Sequence, residues 1–478
     1  METGKEKDMK ENYQQMSLWD LIYPRKIIDK PIRLIELFSG IGAQHKALKQ
    51  LTDQVESWKT CEWAYNSYCS YNAIHIKDFT DYSQNLSKEE LIEKVRGTST
   101  NYNEPLTDKQ LKQKPIEWLR NAYNNIKATH NLINIMEVHG KDLEIVDTDK
   151  YEYIMTYSFP CQDLSLAGKR QGMGVSQKDG GTRSGLLWEV ERILGEIAGG
   201  GLQLPQILVM ENVPEVIGSA NLGDFTKWEH RLEELGYKNY VEILNAKNYG
   251  IPQNRRRCFM VSILGDYNYT FPKHIPLKLK LKDMLEDNVD EKYYLSDKMA
   301  SFFIYNEEKQ KEKGNGFRFN VTDGNVVAKT ITTRAGSRMD DNFIGDKELY
   351  KRTMAEELCD ELIEQDPDTL GIAVKNNTKQ GYLMAYPGDG VYTNTSTKRG
   401  TVQKEIIQTL TTFQDKGVVM NDLRVRKLTP KECWRLMGFD DEDFEKAKDV
   451  PTSNTQLYKQ AGNSIVVNVL EKIFKNLF

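Results

Sequence analysis

The sequence predicts an α/β chain: a doubly wound sheet with helices on both faces, plus a smaller mixed domain. Apolar runs and helical patterns alternate over residues 31–270, a short Gly-x-Gly turn follows the first run, and the rhythm stops near residue 270. At 478 residues the chain exceeds what one hydrophobic core sustains, so two domains are expected.

The elements follow in order. Residues 1–30 form an N-terminal extension in which Met1 to Gln15 is polar and carries no apolar signal core. Ile32 to Phe38 is an apolar strand ending in Ser39-Gly40-Ile41-Gly42, and Gln44 to Leu51 reads as a helix. A second strand, Glu56 to Cys61, stops at Glu62-Trp63 and is followed by a helical Asn66 to Ile76. Strand, Gly turn, helix, strand and acid is the order of a nucleotide-binding half-sheet. Residues 78–134 are polar and mainly helical, interrupted by Pro105 and Pro115, and read as an insertion. The rhythm resumes with strand candidates Ile135 to Val138 and Tyr151 to Tyr157, the helix Leu186 to Ala198, and the strand Ile207 to Met210. A helix Phe225 to Leu235 and strands Tyr240 to Leu244 and Cys258 to Leu264 complete the first domain. Residues 271–423, irregular and rich in Asn, Thr, Gly and Lys, form the second domain. Residues 424–478 return to the first through helices Thr429 to Met437 and Ser464 to Leu477.

Composition narrows the class. Hydrophobic residues at 39% and charged ones at 28% describe a soluble globular protein, and no apolar stretch is long enough to span a bilayer. The expected compartment is the cytoplasm. Cys61, Cys69, Cys161, Cys258, Cys359 and Cys433 lack paired spacing, as in a reducing compartment, and the histidines form no ligand-spaced cluster, so no metal is expected. A net charge of −5 argues weakly against a nucleic-acid partner, but phosphate contacts are local. Arg255-Arg256-Arg257, Lys278-Lys280-Lys282 and Arg424 to Lys431 are basic clusters, each of which alone reads first as solvated surface.

Several residues point to chemistry. Gly40 and Gly42 let backbone approach a ligand and aim helix N–H groups at it, although Ala43 and His45 break the full dinucleotide fingerprint. Glu62 could accept from ribose hydroxyls and Trp63 could stack on a base, while Asp142 is either an adenine contact or a surface turn acid. Cys161, in Ser158-Phe159-Pro160-Cys161-Gln162, stands where a strand would present a thiolate, whereas most free cysteines are inert and buried. Glu211, after a second apolar strand, would be a partly buried carboxyl able to hold a proton for a ring nitrogen. In Gln253-Asn254-Arg255-Arg256-Arg257, alternation puts Gln253, Arg255 and Arg257 on one face and Arg256 on the other.

Taken in order, these segments resemble the DNA (cytosine-5) methyltransferases. Phe38-Ser39-Gly40-Ile41-Gly42 looks like the family's first motif and Pro160-Cys161-Gln162 like its nucleophile motif. Arg183-Ser184-Gly185-Leu186, Glu211-Asn212-Val213 and Gln253-x-Arg255-x-Arg257 continue the set, and Arg426-Lys427-Leu428-Thr429 through Gly438-Phe439 and Gln460-Ala461-Gly462-Asn463-Ser464 close it. The resemblance implies a Rossmann-like S-adenosylmethionine-dependent sheet, with residues 271–423 as a target-recognition domain. It implies catalytic roles for Cys161, Glu211, Arg255, Arg257 and Gln253. Cofactor contacts would come from Phe38, Ser39, Gly40, Ile41, Gly42, Glu62, Trp63, Asp142, Leu143, Pro160, Leu186, Asn463 and Ser464. The implied product is 5-methylcytosine in double-stranded DNA, made by a monomer at the nucleoid of a prokaryotic or phage-infected cell. The resemblance implies the modification enzyme of a restriction-modification system, its cognate endonuclease a functional partner and not a subunit; the alternative is a solitary or phage-borne enzyme, and neither metal nor membrane is expected. Ala43, where many members have a further glycine, Asp163 after the nucleophile motif, and the long 78–134 insertion depart from the pattern. An RNA cytosine methyltransferase lacks so large a second domain. An inert DNA-binding protein would not keep the nucleophile, and a thiol redox enzyme would need a second cysteine nearby.

Overall fold

The computed structural model describes residues 24–160, 164, 183–314, 318–347, 372–375, 382–385, 390–394, 399–403, 426–450 and 452–478. Cys161, Gln162 and the 165–182 segment lie outside them. The chain divides into two compact units. The first comprises residues up to Val289, Gly324–Asp341 and Leu428–Phe478; the second comprises Asp290–Asp323 and Asn342–Lys427.

The first unit is built on a six-stranded sheet. Its strands are β1 (Ile32–Leu37), β2 (Val55–Cys61), β3 (Glu152–Tyr157), β4 (Ile207–Asn212), β5 (Tyr237–Asn245) and, after a two-residue β6 (Gln253–Asn254) outside this sheet, β7 (Arg256–Leu264). The order is β2-β1-β3-β4-β7-β5, with β2, β1, β3 and β4 parallel and β7 antiparallel to both its neighbours. Every residue of β3 and β4 is buried, as expected of central strands covered on both faces. The helices are α1 (Ala43–Lys49), α2 (Tyr65–Tyr71), α3 (Lys88–Lys94), α4 (Asp108–Lys112), α5 (Ile116–Ala128), α6 (Leu187–Gly199) and α7 (Leu222–Glu234). Apolar faces of α6 and α7, with Leu187, Val190, Ile193, Phe225 and Trp228, join Met155, Tyr157, Leu208 and Met210 of the sheet in the main core. Helices α3 to α5 form the 78–134 insertion, which closes a second core around Tyr65, Tyr68, Leu91, Leu111, Leu119 and Ile126.

The strand expected at Ile135–Val138 does not form. Ile135 and Val138 turn their side chains into the main core instead. Their carbonyls accept from Arg192 of α6, at 3.3 and 2.7 Å, so the backbone is satisfied without a neighbouring strand. Among the described residues, the sheet continues beyond β2 as an isolated bridge from Thr60 to Asn131.

In the second unit, α8 (Asp297–Glu312) accompanies a small sheet of Val321–Thr322, Phe343–Ile344 and Arg426–Lys427, and hairpins Ile372–Lys375/Tyr382–Ala385 and Gly390–Asn394/Arg399–Gln403. Phe303, Phe319 and Phe343 pack there in tilted and edge-on pairs at centroid distances of 5.2 to 5.8 Å.

The chain then re-enters the first unit as α9 (Pro430–Arg435), α10 (Asp441–Asp449), α11 (Asn454–Asn463) and α12 (Val467–Lys475). Thr429 caps α9 in a capping box with Glu432. Helix α12 packs on α1. The C-terminal turn is held by Ile28 N donating to Leu477 O (2.7 Å) and Tyr269 Oη to Ile473 O (3.0 Å).

Candidate active site

The parallel strands all end on one side of the sheet, where ligands of open α/β folds bind. Leu37 pairs with Cys61 and with Tyr157, and Tyr157 with Met210. The segments leaving β1, β2, β3 and β4 therefore emerge side by side.

After β1 the chain makes a left-handed turn at Phe38 (φ 61°), Gly40 (φ 55°) and Gly42 (φ 78°). Phe38 and Ser39 donate their amides to Cys61 O at 2.8 and 3.3 Å. Glu62 spans the gap: Oε2 accepts from Gly40 N at 3.0 Å and Oε1 from Ala64 N at 2.8 Å. Burial pushes its carboxyl up to about 7, against the pull of those backbone donors. Trp63 is half-buried beside it. Ile41 is buried, and so is Ser39, whose Oγ has no hydrogen-bond partner among the described residues. A Cβ placed on Gly40 would meet nothing within 4 Å. Asp142 sits in the turn Gly140–Leu143, where Oδ2 accepts from His139 N at 2.8 Å, and Leu143 O accepts from Trp58 Nε1 of β2 at 2.9 Å.

The ends of β3 and β4 are laced together. Asn212 Nδ2 donates to Phe159 O (2.9 Å) and Ser184 Oγ donates to Pro160 O (2.8 Å), so the chain is gripped on both sides just before Cys161. Leu186 is buried behind Ser184. Neither Asn212 nor Ser184 was singled out from sequence, although both lie inside the quoted motifs.

Glu211 is buried and pairs with Arg257, Nε to Oε1 3.1 Å. The antiparallel register puts Phe259 opposite Glu211, which makes Arg257 its diagonal neighbour. Burial raises the Glu211 carboxyl above its usual range, opposed by the charges of Arg257 and then Arg255. Of the two arginines that the resemblance implicates, Arg257 is the one that makes the ion pair with Glu211. Arg255 turns the other way, donating to Ile331 O (3.0 Å), Gly462 O (3.1 Å) and Ser464 O (2.8 Å). Gln253, also buried, accepts from Ile331 N (2.9 Å) and donates to Leu436 O (2.7 Å). Both polar groups of the Ile331 residue are thus clasped by this pair. Arg255 N donates to Gln253 O at 3.0 Å, a tight turn that separates β6 from β7. Gly462 must be glycine here, because a Cβ would stand 2.3 Å from Thr333 N. Ser464 is buried beside it and Asn463 is exposed. The Gly turn, Glu62, Pro160 and Glu211 thus share one sheet end, while Gln253 and Arg255 bind the 331–333 and 462–464 segments. Among the described residues no cluster of His, Cys, Asp and Glu could hold a metal, and no helix is long and apolar enough to cross a membrane.

Fold and candidate site together define an α/β protein whose candidate residues gather at the ends of its parallel strands. The chain belongs to the C-5 cytosine-specific DNA methylase family, which it matches over residues 102–478, and is a DNA (cytosine-5) methyltransferase. It is 32% identical to the type II methyltransferase M2.ScrFI of Lactococcus lactis subsp. cremoris, covering 94% of this chain and 99% of that protein. It is 28% identical to the orphan methyltransferase M.SssI of Spiroplasma monobiae (94% and 97% covered) and 30% to the orphan M.SPRI of Bacillus phage SPR (74% and 88%). In fold it is similar to the S. pombe Dnmt2 methyltransferase, with a TM-score of 0.50, 16% identity and 93% and 97% of the chains covered. It is similar likewise to the Entamoeba histolytica methyltransferase EhMeth, with a TM-score of 0.52, 14% identity and 94% and 98% covered.

Proposed function

We propose that this enzyme methylates carbon 5 of a flipped-out cytosine in a specific double-stranded DNA sequence, using S-adenosylmethionine and a covalent Cys161 adduct. The observation that carries the reading is the buried Glu211–Arg257 pair beside the Pro160 turn, gripped by Asn212 and Ser184. It offers a carboxyl of raised proton affinity one strand away from the nucleophile's strand end.

The Gly turn fits the cofactor. Ser39 Oγ is a buried polar atom awaiting a partner among the described residues, the space above Gly40 is open, and Glu62 ends β2 where ribose hydroxyls would lie. Phe38, Ile41, Gly42, Trp63, Asp142, Leu143, Pro160, Leu186, Asn463 and Ser464 would complete the site. S-adenosylmethionine supplies an electrophilic methyl group when bound.

Cytosine carbon 5 is a weak nucleophile until addition at carbon 6 breaks the ring's 5,6 double bond. The Cys161 thiolate adds to carbon 6, forming a C–S bond and moving the ring's electron pair to carbon 5. Glu211 places its proton on or toward N3 as that charge develops, and Arg257 holds the Glu211 carboxyl and addresses the O2 side. The carbon-5 electron pair would then form the new C–C bond to the methyl group, whose bond to sulfur would break with its pair left on S-adenosylhomocysteine. Loss of the carbon-5 proton to a base then returns the pair to the ring and expels the Cys161 thiolate. A stacked base cannot reach such a site, so the target must leave the duplex. Gln253 and Arg255 act as braces for the 331–333 and 462–464 segments.

The type II relative supports a modification enzyme of a restriction-modification system; we propose that it works as a monomer in the cytoplasm, without its endonuclease as a subunit. The orphan relatives from Spiroplasma and phage SPR support the second reading, a solitary enzyme. Bisulfite sequencing of DNA from cells expressing the chain tests the activity. Protected cytosines in one sequence context are expected, and conversion of every cytosine would overturn it.

A further inference from the structure

Beneath the Ser39–Gly42 turn lies a buried cluster that the chemistry above leaves without a task. Glu36 of β1, His45 of α1 and Tyr71 at the end of α2 are shut off from solvent or nearly so, and His75 beside them is half-buried. Glu36 Oε1 accepts from His45 N at 3.3 Å, Tyr71 Oη donates to Glu36 Oε2, and Tyr71 Oη also lies 2.8 Å from Ser57 Oγ. His75 Nε2 lies 2.9 Å from Ile41 O, so the hydrogen bond exists only with the proton on Nε2. His45 and Tyr71 flank the His75 ring at centroid distances of 4.8 and 4.9 Å. His75 reaches this place because α2 passes into a π-helical turn, Asn72–Ile76, of a kind that re-aims side chains at functional sites.

Contact with the turn is tight. A Cβ on Gly42 would stand 2.4 Å from His75 Nε2 and 2.7 Å from Tyr71 Cε2. Gly42 is therefore glycine both for its left-handed φ and for the floor beneath it. The Ile41–Gly42 peptide is fixed at both ends, with its carbonyl on His75 and its N–H on Ser39 O at 3.0 Å. A peptide beside a glycine flips readily, and a flip here would break both bonds. Burial keeps His75 neutral, its proton affinity lowered to about 4.

We propose that His75, and Glu36 through Tyr71 and His45, are positioning residues that lock the Ile41–Gly42 peptide so that the turn is preorganised for the cofactor. The proposal rests on reading the Ser39–Gly42 turn as the cofactor site. A turn that spends part of its time flipped binds with an affinity reduced by that fraction, while the bound complex reacts normally.

The test measures S-adenosylhomocysteine binding to the full chain by calorimetry, with KM and kcat for methyl transfer alongside. His75→Leu, of similar bulk without the donor, is expected to weaken binding and raise KM about tenfold, as one lost hydrogen bond allows, with kcat at saturation within about twofold of wild type. His75→Gln, which keeps a donor, is expected to recover most of the affinity. Tyr71→Phe keeps the ring under Gly42 and guards against a His75→Leu chain that fails to fold; about threefold weaker binding is expected. Unchanged binding by His75→Leu, equal losses in His75→Leu and His75→Gln, or a fall in kcat with KM unmoved would each overturn the lock. Wild-type affinity in Tyr71→Phe would overturn the part given to Glu36. If the wild-type chain bound no S-adenosylhomocysteine at all, the cofactor reading of the turn would fail, and this proposal with it.

Discussion

Glu211 carries two opposed influences, burial raising its proton affinity and the charges of Arg257 and Arg255 lowering it, and burial wins. A carboxyl poised this way can donate to a ring nitrogen. Glu211→Gln keeps the shape without the acid, and single-turnover methyl transfer should drop by about 10²- to 10⁴-fold. The donor must be protonated, so the wild-type rate should fall as pH rises through the raised value. Arg257→Met removes the larger opposing charge and should move that fall to higher pH. Glu36 and Glu62 give a stability signature of the same sign. Burial pushes them up to about 8 and about 7 from an ordinary 4.5. Their contribution is complete below about 4.5 and is lost as pH climbs through those values. Buried neutral His75 and His45 act with the opposite sign up to about pH 6.5, so urea midpoints should fall chiefly between about pH 6.5 and 8, and Glu36→Gln should flatten that slope. Glu211 was legible because it ends an apolar strand and sits in a spaced motif. Glu36 and His75 were not, because a lone acid within a strand and a lone His on a helix carry no periodic signal. Their partners lie 34 or 35 residues away.

At the scale of elements, β1 to β4, β5 and β7 stood near the positions that hydrophobic runs mark. Ile135–Val138 failed because four apolar residues specify burial without specifying a strand, and Arg192 met their carbonyls from a helix 54 residues on. Helices α10 and α11 were overlooked, although Ser453 caps Gln456 N in the spacing that announces a helix start. The brace made by Gln253 and Arg255 was invisible for another reason. Arg255 joins segments 76, 207 and 209 residues distant, and only folding brings those carbonyls together. Gly462→Ala tests the brace from its far side. The new methyl would press on backbone at Thr333, and a loss of about 1 to 3 kcal/mol in urea unfolding is expected. Wild-type stability would mean that the close approach of these two segments is wrong.

The whole molecule is two units whose boundaries do not follow the sequence in one step. Gly324–Asp341 lies between the parts of the second unit yet belongs to the first, where Ala328–Lys329 pairs with β6 and Ile331 is clasped. An exchange of Asp290–Asp323 and Asn342–Lys427 for the matching parts of a relative should change the methylated sequence and preserve activity. An exchange that also replaces 324–341 should lose activity by breaking the brace. Bisulfite sequencing reads both, and an unchanged target in the first exchange would remove target choice from the second unit. The C-terminal helix makes the fold depend on its last residues, since α12 packs on α1 directly behind the Gly turn. The central proposal is attack by Cys161 on carbon 6 of cytosine, and one measurement addresses that step most directly. A duplex carrying 5-fluorocytosine at the target cannot release its carbon-5 substituent as a cation, so the C–S bond cannot be undone. Incubated with this substrate and S-adenosylmethionine, the enzyme should form a covalent protein–DNA complex whose peptide mass maps to Cys161 and which Cys161→Ser abolishes. Methylation of ordinary DNA with no such complex, or a complex at another residue, would contradict the mechanism.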